Sequence, residues 1–159
     1  MAGPLLCLAS LGVVASMQPV HVATDWPVAD RLWGRRARWS YPWRSLLSQG
    51  ATLAFGSDAP VEPLDPWPGL RVALTRQDLT GEPAGGWYPE ERLTLTAAVA
   101  SGTAGAARAA GEPGGGRLAA GARADFIVLE RDPFALAPEE LGHLRPVATV
   151  IGGEEVFST

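Results

Sequence analysis

Apolar residues in this chain fall into short blocks separated by glycine and proline. Leu11–Met17 (LGVVASM) and Ala51–Phe55 (ATLAF) are continuous apolar runs. Runs of that length bounded by turn residues predict strands buried on both faces, as in a parallel sheet. Between them the pattern changes to helical spacing. Ala29, Leu32, Trp33 and Arg36 predict a helix over Pro27–Trp39, with Asp25 as cap and Pro27 in its first turn. Trp43–Ser48 predicts a second, short helix ended by Gly50. Strand, helix, strand in this order is the unit of a parallel α/β sheet.

Further along, Leu70–Arg76 predicts a helix after a proline-rich approach, and Thr80–Pro89 reads as a loop. Leu95–Ala110 is the strongest helical stretch, with Thr94 as its cap and Gly102 and Gly105 as weak points. The character then turns to β. Ala124–Leu129 (ADFIVL) predicts a strand. Asp132–Pro133 breaks it, and Pro138–Leu141 suits a single helical turn. Ala148–Ile151 and Glu155–Ser158 flank Gly152–Gly153, a hairpin pattern. No internal repeat of useful length is present.

At 159 residues the chain suits one domain, or one small domain plus part of another. It is too short for a whole (β/α)₈ barrel, which needs roughly 200 residues or more. The net charge is −4, and all 13 positive side chains are arginine. Arg35, Arg36 and Arg38 cluster, but no basic stripe runs along the chain, so nucleic acid is not an expected partner. Pro4–Met17 lacks the basic start of a signal peptide and is shorter than the roughly 20 residues of a membrane span. A buried strand is the preferred reading, with no membrane partner. Cys7 is the single cysteine, which fits a reducing, cytoplasmic setting.

Two residues carry the sharpest chemistry. Asp58 lies where an apolar strand opens into Gly56-Ser57-Asp58-Ala59-Pro60. Catalytic groups of α/β folds gather at strand carboxyl ends, and a carboxylate there can hold a metal and accept a proton from water. The plainer alternative is an aspartate capping a turn. His21 follows the earlier strand in the same way, and could equally be a structural hydrogen-bonding histidine. His143 reads as an exposed helix-end residue. Trp26, Trp33, Trp39 and Trp43 are dense enough to line a pocket, but packing of large rings is the stronger reading. Ser57 lacks a nucleophile-elbow context, and Gly114-Gly115-Gly116 lacks the partners of a phosphate loop.

Taken in order, LGVVASMQPVH (11–21), DWPVADRLWG (25–34), YPWRSLL (41–47), LAFGSDAPVE (53–62), 93–108, GRLAAGARADFIVLERDP (116–133) and TVIGGEEVF (149–157) resemble the C-terminal part of the metal-dependent amidohydrolase superfamily. The similar branch includes N-substituted formamide deformylase-like proteins. The resemblance implies a distorted (β/α)₈ barrel beside a small β-sandwich, with Leu11–Met17 as the seventh strand and Ala51–Phe55 as the eighth. Residues 1–112 would then be the end of the barrel and 113–159 returning sandwich strands. It also implies that Asp58 is the metal-proximal general base and that His21 lies near the substrate. A divalent metal, zinc by expectation, and a small amide or formamide substrate complete the implied chemistry. The chain departs from the family in lacking a His-x-His pair, the other barrel histidines and any lysine. A hydrolytic zinc site uses three protein ligands plus water, so one copy of this chain is expected to be incomplete and inactive alone. The expectation is a fragment, split gene product or truncated gene needing the missing N-terminal barrel portion. An inactive remnant or interaction module is the alternative.

Overall fold

The computed structural model describes residues 3–112 and 114–159, with side chains from Cys7 onward. Two sheets organise the chain. Strands β1 (Val14–Met17) and β2 (Thr52–Phe55) pair in parallel, Val14 opposite Thr52 and Met17 opposite Phe55. Strands β3 (Phe126–Leu129), β4 (Pro146–Ile151) and β5 (Glu154–Ser158) form an antiparallel sheet in the order β3-β4-β5. The β4–β5 hairpin turns through Gly152 and Gly153, both at positive φ, as a two-residue turn of this kind requires.

Helices α1 (Gly3–Ser10), α2 (Val22–Trp33) and α3 (Trp43–Ser48) surround the parallel pair, and α4 (Trp67–Thr75), α5 (Leu95–Ala100) and α6 (Ala106–Ala109) follow β2. Two expectations fail here. Residues 3–10 are helical, so the first apolar segment is a helix and then a strand rather than one long strand. The helix assigned to Pro27–Trp39 instead starts at Val22, directly after a 3₁₀ turn at Pro19–His21, and carries Pro27 inside it. Gly34, at φ 50, ends it, and Gly34–Trp39 is 3₁₀, so Arg36 is not on its face. Asp25 therefore caps nothing and is free to bind elsewhere. The expected boundary between 112 and 113 falls at a residue outside those described.

The long helical stretch forms as expected, with the Thr94 hydroxyl accepting from the Ala97 amide at 3.2 Å. It is interrupted by a π segment at Ser101–Gly105. The reason is contact with β2. A Cβ on Gly105 would lie 2.0 Å from the Leu53 carbonyl oxygen, so only glycine lets the helix press on the strand backbone there. The main core gathers Val22, Trp43, Leu46, Leu53, Phe55, Val72 and Ala98. A second cluster of Trp67, Leu141 and Leu144, with Leu70, Leu74 and Leu129 against it, fastens the antiparallel sheet to α4.

The C-terminal end of α4 is held by a buried arginine. Arg76 is fully buried at φ 59, its Nε donating to the Trp87 carbonyl (2.8 Å) and an Nη to the Tyr41 carbonyl (3.0 Å). Its guanidinium carbon lies 4.5 Å from the Trp43 ring centre and 5.1 Å from that of Trp87. Burial lowers its pKa to about 10, opposed by the charges of Glu91 and Glu90. The backbone closes the same junction: the Trp87 amide donates to the Arg76 carbonyl at 2.7 Å, and Arg92 Nε donates to the Thr75 carbonyl at 3.0 Å. Glu91 then reaches α3, accepting from the Ser45 amide at 2.9 Å and from the Ser45 hydroxyl. One arginine thus joins α3, α4 and the loop at residues 77–92.

The packing gives two stability predictions. Arg76→Lys keeps the charge but loses the planar fork and stacking, and should cost about 3 kcal/mol in urea unfolding. Gly105→Ala should cost about 2 kcal/mol or more by overpacking, whereas Gly102→Ala, with open space around it, should be neutral or slightly stabilising. Equal effects of the two alanines would refute the close-approach argument.

Candidate active site

The two strand-end residues singled out by the sequence meet in space. Parallel register sets β1 and β2 to end together, and the Gly56 amide extends the ladder by donating to the Met17 carbonyl at 3.3 Å. The chain then diverges on each side. After β1, the 3₁₀ turn carries His21 to the start of α2, with the His21 amide donating to the Gln18 carbonyl at 3.2 Å. Thr24 Oγ1 donates back to the His21 carbonyl at 3.1 Å, which fixes the junction. After β2, Asp58 stands at φ 62, a left-handed conformation that aspartate tolerates better than most residues.

His21 Nε2 lies 3.7 Å from Asp58 Oδ2, beyond direct hydrogen-bonding distance. The histidine side chain is 22% exposed and the aspartate 50%. His21 Nε2 is buried and has no hydrogen-bond partner among the described residues. Asp58 does not spend its carboxylate on the turn. The Ser57 hydroxyl instead accepts from the Ala59 amide at 3.3 Å, and the Asp58 carbonyl accepts from the Val61 amide at 2.8 Å. The carboxylate is therefore directed at the imidazole and open to solvent on its other side. Among the described residues no hydrogen bond ties this carboxylate to its own turn.

A proton acceptor and a nitrogen donor facing one another can hold part of a metal site. They do not complete one. Among the described residues no group of three or more His, Cys, Asp or Glu side chains is placed to hold a metal ion. His143 is at the end of the 3₁₀ turn Pro138–His143, exposed, as the sequence suggests.

The tryptophans divide. Trp43 is fully buried against Phe55, Tyr41 and Arg76, as packing predicts. Trp33 and Trp39 are exposed, so packing in the core does not account for them. Trp33 instead lines a cleft of about 490 Å³ beside the end of β1, with Met17, Gln18, Asp25, Leu32 and Tyr41. There the Tyr41 hydroxyl donates to Asp25 Oδ2 at 2.5 Å. Burial, reinforced by that bond and the aspartate charge, pushes the phenol well above its ordinary pKa. The sequence pattern does not show Asp25–Tyr41 or the Arg76 contacts, because residues 11 to 35 positions apart share no period.

With the geometry in place, the wider comparison is decisive: the amidohydrolase family model matches residues 7–157. The chain belongs to the amidohydrolase family. It is 37% identical over 151 residues to the putative amidohydrolase YtcJ of Bacillus subtilis, spanning 94% of this chain and 28% of that protein. It is 29% identical over 150 residues to an N-substituted formamide deformylase of Arthrobacter pascens, spanning 92% of this chain and 27% of that protein. An uncharacterized metal-dependent hydrolase from Pyrococcus horikoshii superposes with a TM-score of 0.74 and 31% identity, over 84% of this chain and 27% of that one. This amidohydrolase chain thus spans about a quarter of the length of the relatives it matches.

The left-handed backbone at Asp58 has a measurable consequence. Asp58→Gly should raise unfolding stability by about 1 kcal/mol, Asp58→Asn should leave it nearly unchanged, and Asp58→Ala should lower it by about 1 kcal/mol. Chemical denaturation ranks the three. A fall in stability for glycine would mean that the carboxylate has a structural partner.

Proposed function

We propose that this chain forms part of a metal-dependent hydrolase of carbon–nitrogen bonds other than peptide bonds, with Asp58 as metal ligand and general base. The observation that supports it best is the pairing of an uncommitted Asp58 carboxylate with the orphaned Nε2 of His21 at two adjacent strand ends. Strand carboxyl ends are where α/β enzymes place such groups. Family membership supplies the reaction class, and the deformylase relative points toward amides or formamides.

In this reading β1 and β2 are the seventh and eighth strands of a (β/α)₈ barrel, residues 1–112 its last portion, and 113–159 strands of a sandwich. The two-stranded parallel pair supports it, because a parallel sheet of that size is not a finished structure. Asp58 would hold a divalent metal, zinc on this proposal, together with ligands from elsewhere, and the metal would supply Lewis acidity. Asp58 would take a proton from the attacking water as its oxygen adds to the substrate carbonyl carbon. The same proton then passes to the departing nitrogen as the C–N bond breaks. His21 would face the substrate from the opposite side of the pair. The remaining ligands come from polypeptide outside this chain. A cytoplasmic setting belongs to the same proposal and draws on the single cysteine.

A second reading, a non-catalytic remnant or interaction module, draws on the absence of a three-donor group among the described residues. Hydrolysis separates the two. The chain alone should not hydrolyse an N-substituted formamide. Co-expressed with the part of the Bacillus relative lying outside the matched region, it should do so with zinc and stop with a chelator. Asp58→Asn in that pairing should lower kcat/KM by roughly a thousandfold. Unchanged rates for Asp58→Asn would overturn the assignment, and no hydrolysis from a formed pair would favour the remnant.

A further inference from the structure

A cleft of about 530 Å³, the size of a small-molecule pocket, opens beside the strand ends. Two of its lining residues locate it. Val20 directly precedes His21, and Ser57 directly precedes Asp58. The cleft therefore borders the strand ends that carry both candidate residues. From there it runs between α4, the π segment and β3, so the parallel pair and the antiparallel sheet both contribute walls. Ligand pockets favour junctions of this kind.

Its walls are apolar, with Phe55, Leu64, Trp67, Val99, Ile127 and Phe134 among them. The polar groups on the lining are mostly engaged. The Thr103 hydroxyl donates to the Val99 carbonyl at 2.8 Å, and the Ser57 hydroxyl accepts from the Ala59 amide. Asp65 accepts from the Trp67 amide at 3.0 Å and lies 3.5 Å from Arg145. Glu62 is half-buried and has no ion-pair partner among the described residues, so the uncompensated charge on the lining is negative. Gly102 adds a second observation. Its neighbour Gly105 is required by contact with Leu53, but a Cβ on Gly102 would meet nothing within 4 Å. The missing side chain at 102 leaves the cleft open rather than relieving a clash.

We propose that this cleft takes an uncharged, apolar substituent of the substrate amide, roughly six carbons or larger, while the amide itself lies at the His21–Asp58 pair. The proposal rests on the functional reading above and narrows it, from amides in general to amides with a bulky apolar group. Each methylene buried against such walls adds roughly threefold to fourfold in affinity. A carboxylate at the end of the substituent would lose its hydration and face Glu62 rather than a free cation. The cleft therefore selects for size and against negative charge.

Binding tests this without metal or turnover. The full chain is titrated with N-methylformamide, N-hexylformamide and the analogue of the latter that ends in a carboxylate, each followed by ligand-observed NMR. N-hexylformamide should bind roughly tenfold or more tighter than either of the others. Gly102→Leu fills the cleft from a position with open space and should weaken N-hexylformamide roughly tenfold, with circular dichroism unchanged. A merely sticky surface would bind more tightly after that change, because it adds apolar area. Phe134→Ala, at an exposed position, should weaken the same ligand roughly threefold and serves if the leucine disturbs the fold. Glu62→Gln should improve the carboxylate analogue roughly threefold and leave N-hexylformamide unchanged. Equal affinities for the three ligands, or variants in the cleft without effect, would overturn the proposal. So would loss of N-hexylformamide binding when the chain is paired with the part of the Bacillus relative outside the matched region, since polypeptide would then occupy the cleft. Hydrolysis by that pair separates the two readings. No hydrolysis by a pair that keeps the preference would remove the reaction and leave the binding site, whereas hydrolysis without the preference would remove the site and leave the reaction.

Discussion

The buried guanidinium of Arg76 is the constraint on which the first two thirds of the molecule depend. A charge removed from water must find polar partners or it destabilises the fold. Arg76 finds two carbonyl groups, on Tyr41 and Trp87, and two indole faces, on Trp43 and Trp87. These partners come from separate segments, so the contacts of the cation bring those segments together, although one Nη has no hydrogen-bond partner among the described residues. Tyr41 is fixed in turn, with its hydroxyl on Asp25 of α2, and Asp30 of the same helix accepts from the Trp87 indole at 2.9 Å. The helices flanking β1 and β2 are therefore referenced to one buried group, and the strand ends inherit that order.

Asp58 and His21 benefit from this arrangement without belonging to it. Their backbones are set by the ladder running from Met17 to Gly56 and by the short turns that follow. Their side chains remain uncommitted: the imidazole nitrogen has no partner and the carboxylate avoids its own turn. The buried imidazole nitrogen carries the cost of an unmade hydrogen bond, whereas the half-exposed carboxylate stays solvated. The left-handed backbone at Asp58 is of the same kind, since strain tends to persist where function holds it. Their proximity is what the proposed function draws on, and family membership gives it a context.

The exposed apolar surface follows the same logic at larger scale. Ile127, Val128, Val156 and Phe157 on the antiparallel sheet are exposed, as are Leu11, Leu32 and Trp33 beside the parallel pair. A second cleft, of about 530 Å³, runs past Gly56 and Ser57 at the end of β2 toward Ile127 and Leu129 of β3. A cleft thus opens beside the end of each strand of the parallel pair. Exposed apolar surface of this kind marks interaction sites or ligand grooves.

By itself the sequence determined most of the local elements and singled out Asp58 as the candidate carboxylate. Apolar runs with β-branched residues specify β1, β2 and β3, Gly152-Gly153 specifies the hairpin, and Thr94 specifies a helix start, because each depends on neighbours a few residues away. Asp58 and His21 were legible for the same reason, as polar residues just beyond apolar runs. The start of α2 was not, because Pro27 looks like a first-turn residue even though a helix can already be under way before it. Tertiary structure alone decided that Arg76 is buried, that Asp25 serves Tyr41, and that His21 faces Asp58. Each of those contacts joins segments distant in sequence, and the free energy that selects them comes from packing and desolvation rather than from any local pattern.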